Sequence, residues 1–240
     1  MVDYISLKAN LKILEASANY IYTDKDKCGY LDIYDKWFKP FQSKDGLRIL
    51  EIGVKRGGSI MLWNQYFENA LVYGADNNHG GQCTFDLANA PKNVEVLYLD
   101  QENRGDLQLL VDKFGKFDII IDDGGHSMPQ QQISFGFLFP FIKTDGIYII
   151  EDLGTSTIAD YHIKEHKVKQ NGSNTTLKMI DDFNKTGIIK SEYMTEEEEE
   201  YLSKNITSYK LRKTGKTSNI NNIIIDFEAC AFYKGEKNVL

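Results

Sequence analysis

The residues best suited to chemistry in this 240-residue chain form two short runs, Asp122-Asp123-Gly124-Gly125-His126 and Glu151-Asp152. Each follows an apolar, β-branched stretch, which would put both runs at strand ends. Brought together in a parallel sheet, four carboxylates repel strongly unless a cation neutralises some of them. Oxygen donors without a paired Cys or His suit Mg2+, Mn2+ or Ca2+ better than zinc. His126 lies three residues beyond Asp123, and an imidazole there could take a proton from a substrate hydroxyl. A hydroxyl is a poor nucleophile; a metal that lowers its pKa and a base that removes its proton answer that difficulty together. A plainer reading is that Asp122 and Asp123 cap the next helix and His126 is a polar turn residue.

A second constellation lies upstream, in Glu51-Ile52-Gly53-Val54-Lys55-Arg56-Gly57-Gly58-Ser59. Glycine at a strand-to-helix turn permits positive φ and close approach of a ligand to the backbone, and the helix start adds free N–H groups. Lys55 stands where the second glycine of a dinucleotide fingerprint belongs, and no phosphate loop of the G-x-x-x-x-G-K-[ST] type occurs. Acid-x-Gly-x-x-x-Gly is instead a spacing used for S-adenosylmethionine, whose cationic amino and sulfonium groups suit Glu51. An ordinary glycine-rich turn satisfies the same pattern. Asp76, 19 residues after Gly57, is placed to accept from ribose hydroxyls, and Asp100-Gln101 to edge an adenine.

These residues need strands to carry them. Strand candidates fall at 48–52, 71–75, 94–99, 117–121 and 146–150, with helical patterns at 59–68, 80–89, 104–114 and 130–142. Such alternation gives βαβ units, a parallel sheet and right-handed crossovers. Continuous apolar runs such as Ile119-Ile120-Ile121 suit strands covered on both faces. Two N-terminal helices are expected over 5–22 and 31–38, joined by the polar turn 23–27. Thr195 and Glu198 form a capping box, and late runs at 206–211 and 222–233 would finish the sheet as an antiparallel pair. The expected organisation is an N-terminal helical extension, 1–45, and an α/β domain, 46–240, with a lid or acceptor insertion near 154–190.

Composition narrows the field. Hydrophobic residues make up 42% and charged ones 26%, which fits a globular protein and excludes disorder or a fibrous repeat. Acids outnumber bases by 35 to 28, a net charge of −7, against a general nucleic-acid binder. No apolar run is long enough to span a bilayer, and Met1-Val2-Asp3-Tyr4 lacks a signal-peptide layout. Cys28, Cys83 and Cys230 are far apart and form no CxxC pair, in keeping with a cytoplasmic location. The sequons at Asn171, Asn174 and Asn205 then carry no meaning. His162 and His166 have i,i+4 spacing but no third ligand, and read as a solvated face. The acidic run 196–200 reads as an exposed helix start favoured by the macrodipole. Trp37, Phe38, Trp63 and Phe67 are spaced as core. Lys27 and Tyr30 could fold over a cofactor or simply pack.

The string Phe117-Asp-Ile-Ile-Ile-Asp-Asp-Gly-Gly-His126, with Ser134-Phe135, Leu138-Phe139-Pro140 and Gly146-Ile-Tyr-Ile-Ile-Glu-Asp-Leu153, resembles class I methyltransferases of the mycinamicin/macrocin sugar O-methyltransferase type. Cephalosporin-hydroxylase-like proteins share the pattern. Leu50-Glu-Ile-Gly-Val54, Gly57-Gly58-Ser59, Trp63 and Thr23-Asp24-Lys25 are similar as well, so the motifs run from about 23 to 153.

The resemblance implies a Rossmann-like seven-stranded, mostly parallel sheet with an antiparallel last strand. It also implies bound S-adenosylmethionine, Mg2+ or Mn2+, methyl transfer to a sugar hydroxyl, and homo-oligomers. Carried onto this chain, Glu51, Gly53, Gly57, Ser59, Asp76, Asp100, Gln101 and Asp122 serve the cofactor. Asp123, Glu151 and Asp152 hold the metal, and His126 is the base beside Asp123. Gly125 stands where many relatives carry Ser, a change at a tight turn with no expected consequence. No acceptor signature occurs between 154 and 186; polysaccharide decoration or secondary-metabolite biosynthesis is the implied setting. A non-catalytic S-adenosylmethionine-binding scaffold would not need to crowd carboxylates, and an NAD-type oxidoreductase would need the missing fingerprint. A base-directed methyltransferase would need an Asn/Asp-Pro-Pro-aromatic motif, also missing.

Overall fold

The computed structural model describes residues 5–17, 21–158, 161, 172–220 and 223–235. The five early apolar runs form β1 (Arg48–Ile52), β2 (Leu71–Asp76), β3 (Val94–Tyr98), β4 (Phe117–Asp122) and β5 (Ile142–Ile150), all parallel. The late pair forms a long hairpin, β6 (Ile206–Ile220) and β7 (Ile223–Lys234), with β7 antiparallel to both β5 and β6. The order is β3-β2-β1-β4-β5-β7-β6. The chain reverses direction across the sheet between β1 and β4, the kind of point where open α/β sheets bind ligands.

Alternate strand residues face opposite layers, and this parity organises everything that follows. Ile49, Ile119, Ile121, Ile147 and Ile149 pack in one core with Leu7, Leu31, Tyr34, Trp37, Phe38 and Trp63. That layer contains α1 (Leu7–Glu15), α2 (Leu31–Phe38) and α3 (Gly58–Tyr66). Leu50, Ile52, Ile120, Tyr148 and Ile150 face the other core, under α4 (Arg104–Phe114) and α5 (Met128–Leu138). The N-terminal helices therefore share a core with the sheet. Two further helices, α6 (Thr176–Thr186) and α7 (Glu196–Asn205), precede the hairpin, and α7 opens on the expected Thr195–Glu198 capping box.

Several elements depart from the sequence expectation. The helix expected over 80–89 is two 3-10 turns, His79–Gly81 and Leu87–Asn89. Between them Cys83 and Phe85 are buried, and the Asp86 side chain caps the second turn by accepting from Ala88 N. The first helix ends at Glu15 instead of 22, and residues 21–24 are not helical. The helix expected over 130–142 starts earlier, at Met128, after a Ser127–Gln130 capping box, and gives way to a 3-10 turn at Phe139–Phe141. Over 153–190, where a lid or acceptor insertion was expected, a 3-10 turn at Leu153–Thr157 and α6 are described; His162, His166 and Asn171 lie outside the described residues. No helix among the described residues is long and apolar enough to cross a membrane.

Candidate active site

Strand parity decides which carboxylates meet. Glu51 follows Leu50 and so faces the N-terminal layer; Asp123 and Glu151, one residue past β4 and β5, keep the same phase. Their backbones extend the ladder, Asp123 N to Ile52 O at 2.9 Å and Glu151 N to Asp122 O at 3.0 Å. What meets them is Lys25, from the turn read as merely polar. Its Nζ lies 2.5 Å from Glu151 Oε1, 2.6 Å from Asp123 Oδ2 and 3.4 Å from Glu51 Oε1, with the lysine side chain only 2% exposed. Tyr34 OH also donates to Glu151 Oε1, and Trp63 Nε1 donates to Glu51 Oε2 at 3.0 Å.

Burial pushes Glu51 up to about 7 despite the pull of Lys25. Burial, followed by repulsion from Asp123, also drives Glu151 well above the carboxylate range. Burial opposes the charge on Lys25, but Asp123, Glu151 and Glu51 together outweigh it and raise its pKa well above 10.5. For two of the four carboxylates crowded together by the sequence expectation, Asp123 and Glu151, a neutralising cation is thus supplied by the protein itself.

Asp122 has the opposite phase and turns away, into the α4–α5 core. It accepts from Ser134 Oγ, from Tyr148 OH at 3.1 Å and from Gln101 Nε2 at 3.1 Å, and burial raises its pKa. Gln101 Oε1 accepts from Gly125 N at 2.9 Å, so this amide ties the β3 loop to the β4 loop. A Cβ at Gly125 would lie 2.0 Å from Gln130 Oε1. The atoms met are the far end of the flexible Gln130 side chain, which can move aside.

At the C-terminal strand edge opens a cavity of about 670 Å³, within the range of small-molecule sites. Of the sequence-predicted residues, Gly53, Asp76, Asp100, Gln101, Asp123, His126, Glu151 and Asp152 line it; Glu51, Gly57, Ser59 and Asp122 stand behind the wall. Gly53 has φ +90, and a Cβ there would lie 2.0 Å from Asp123 O, so only glycine lets the β1 and β4 loops meet. Gly57, at φ +82, gives its side-chain space to the Phe85 ring, and Ser59 is buried at the start of α3. Asp76 Oδ2 accepts from Val54 N and Lys55 N, both at 2.9 Å, and Oδ1 from Asn78 N at 2.7 Å. Asp100 Oδ1 accepts from Glu102 N at 2.9 Å. Cys28 and Tyr30 line the N-terminal side. Lys27 lies instead along a neighbouring cavity with Lys216.

At the floor, Asp123, His126 and Asp152 each offer an atom within 4.8 Å of the others, a group that could hold a metal ion. His126 Nε2 lies 3.8 Å from Asp123 Oδ1 and 3.4 Å from Asp152 Oδ2, while Nδ1 is buried without a hydrogen-bond partner. The two carboxylate oxygens are hard donors that fit Mg2+ or Mn2+ better than a thiophilic ion, and His126 Nε2 beside them is left as a proton acceptor. His126 and Asp152 both adopt left-handed backbone, φ +61 and +52, a cost that clusters at functional sites. Glu151 lies outside this group because Lys25 and Tyr34 hold its Oε1. Sequence reasoning missed Lys25 as a site residue; its place in the Thr23-Asp24-Lys25 motif was the available signal.

No protein-family model matches the chain. Demethylmacrocin O-methyltransferase of Streptomyces fradiae is 34% identical over 130 residues, 51% of this chain and 31% of that protein. 8-Demethyl-8-alpha-L-rhamnosyl tetracenomycin-C 2'-O-methyltransferase of Streptomyces olivaceus is 34% identical over 141 residues, 55% of this chain and 35% of that one. The match thus spans about a third of each curated relative. Among solved structures, MycE methyltransferase from the mycinamycin biosynthetic pathway, in complex with Mg, SAH and mycinamycin VI, superposes with a TM-score of 0.68 at 21% identity. That alignment covers 99% of this chain and 56% of MycE. The fold is that of Rossmann-like methyltransferases, and in sequence the chain is similar to the mycinamicin/macrocin-type sugar O-methyltransferases.

Proposed function

We propose that the chain is a divalent-metal-dependent O-methyltransferase acting on a hydroxyl of a sugar or sugar-derived small molecule, with S-adenosylmethionine as methyl donor. The observation that carries this reading is the convergence of Asp123 Oδ1, Asp152 Oδ2 and His126 Nε2 at one end of the cavity. The names of the similar proteins, sugar-directed O-methyltransferases of antibiotic biosynthesis, support it. Secondary-metabolite or surface-polysaccharide biosynthesis is the corresponding setting.

Asp123 and Asp152, backed by Glu151, would hold the metal, which when bound supplies a Lewis acid for the acceptor oxygen. S-adenosylmethionine supplies a methyl already activated by its sulfonium. The protein's own part is binding, alignment and proton transfer. Gly53 gives the cofactor access to the β1 loop, Asp76 and Asp100 offer carboxylate oxygens, and Gln101 fixes the loop between them. Glu51, Gly57, Ser59 and Asp122 shape that wall from behind. His126 Nε2 accepts the hydroxyl proton, and Asp152 beside it stabilises the imidazolium. Alignment of this kind is worth roughly 7–11 kcal/mol.

Residues 46–240 form the methyltransferase domain in this reading, and 1–45 the helical extension that supplies Lys25, Tyr30 and Tyr34. The three free cysteines support a cytoplasmic location. Ile5 and Ile13, each 49% exposed, offer an apolar contact for a homo-oligomer.

Calorimetric titration with S-adenosylmethionine, with and without Mn2+, tests the reading on wild type and on Asp123→Ala with Asp152→Ala. Cofactor binding by both and Mn2+ binding by wild type alone is the expected result. Cofactor binding without any metal effect would retain the methyltransferase and discard metal assistance. No cofactor binding by folded protein would overturn the reading and make NAD the next ligand to try.

A further inference from the structure

Both carboxylates at the floor divide their oxygens in the same way. Asp123 gives Oδ2 to Lys25 Nζ at 2.6 Å and turns Oδ1 toward His126 Nε2 at 3.8 Å. Asp152 gives Oδ1 to Tyr30 OH at 2.5 Å and turns Oδ2 toward the same nitrogen at 3.4 Å. Tyr30 OH also accepts from Asp152 N at 3.1 Å. With that lone pair engaged, its single proton is directed onto Oδ1. The two donors belong to one turn, closed by Tyr30 N to Lys25 O at 2.9 Å, and reach partners 98 and 122 residues away.

A lysine needed only to balance buried acid would be served by Glu151 and Glu51. Its shortest contacts are instead shared between Glu151 and Asp123, one of the two cluster carboxylates that face His126. Left to themselves, Asp123 and Asp152 on loop backbone would populate several rotamers, only some of which aim an oxygen into the cavity. Donors that fix the outer oxygen select those rotamers, as hydrogen-bond partners behind metal ligands generally do.

We propose that Lys25 and Tyr30 are positioning residues: the turn carrying them holds the outer oxygens of Asp123 and Asp152 and thereby aims the inner ones at the metal position. The proposal rests on the metal-dependent reading above. The test is Mn2+ affinity by electron paramagnetic resonance and S-adenosylhomocysteine affinity by calorimetry, on wild type, Tyr30→Phe and Lys25→Met. Each variant should weaken Mn2+ binding roughly 10- to 100-fold and leave S-adenosylhomocysteine affinity unchanged. Tyr30→Phe removes one oxygen from a packed ring, so it decides the matter even if Lys25→Met fails to fold. Unchanged Mn2+ affinity in Tyr30→Phe would overturn the proposal. So would tighter Mn2+ binding in Lys25→Met, since the ammonium would then be a competitor of the metal. Parallel loss of both ligands would mark a structural role and overturn it too. Absence of Mn2+ binding by wild type would instead remove the metal-dependent reading on which the proposal stands.

Discussion

On the β2–β3 side of the cavity, Asp76 is held by three backbone N–H groups no more than 22 residues away in the chain. On the β4–β5 side, Asp123 and Glu151 share the ammonium of Lys25, 98 and 126 residues away. Backbone donors come with the turn itself, so the first arrangement is assembled as soon as β1, β2 and their loops form. The second exists only when the N-terminal turn has docked on the sheet. It makes the proposed reacting side of the site depend on a distant segment, whereas the proposed cofactor side depends on its own loops.

The largest expected effect lies on the reacting side. His126→Asn keeps a residue type that tolerates the left-handed backbone at φ +61 and removes the proton acceptor. Turnover should fall about 10²- to 10⁴-fold, with S-adenosylmethionine affinity unchanged. Steady-state kinetics paired with calorimetry measures both, and near-normal turnover would strip His126 of its role.

The same contrast explains what was legible in the sequence. Strands and glycine turns depend on local pattern, and β1 to β4 lie within a residue of their expected bounds. Alternation along β1, β4 and β5 separates Glu51, Asp123 and Glu151 from Asp122, which the sequence expectation had crowded with Asp123, Glu151 and Asp152. The meeting of the first three with Lys25 was not readable, because nothing in a polar turn of Thr, Asp and Lys says that one lysine is only 2% exposed. Crowded carboxylates announced a cation without revealing its source. The failed helix over 80–89 has a tertiary cause: Phe85 is drawn inward to cover Gly57, against the helical pattern of its neighbours.

A smaller effect concerns the seam between the two sides, where Glu51 sits under Lys25. Unfolded, Glu51 ionises around 4.5; folded, it keeps its proton until about 7. Between those values the native state binds more protons than the unfolded one, so stability falls as pH rises. Its contribution is fully present below about 4.5 and lost by about 7. Glu51→Gln removes the titration while keeping an acceptor for Trp63. Denaturant unfolding across this window should show wild type losing on the order of 3 kcal/mol relative to the variant. Parallel pH profiles would show that Lys25 keeps Glu51 ionised throughout.

The smallest stability change belongs to the cofactor side and separates binding from scaffold. In Asp76→Asn the amide oxygen can still accept from Val54 N and Lys55 N, and only the bond from Asn78 N is lost. Unfolding free energy should fall by about 1 kcal/mol, a shift of roughly 2–4 °C in Tm for a chain of this size. On the proposed reading, the carboxylate's charge-assisted bond to a ribose hydroxyl goes as well. Losing about 1.5 kcal/mol there weakens S-adenosylmethionine binding about tenfold and leaves kcat at saturating cofactor near wild type. A Tm drop as deep as that of Lys25→Met would mean that Asp76, too, is tied into a global network, and the distinction between a local and a remote side would fail. Unchanged cofactor affinity with the small Tm shift would leave Asp76 as a clasp for the glycine loop and pass the ribose to Asp100.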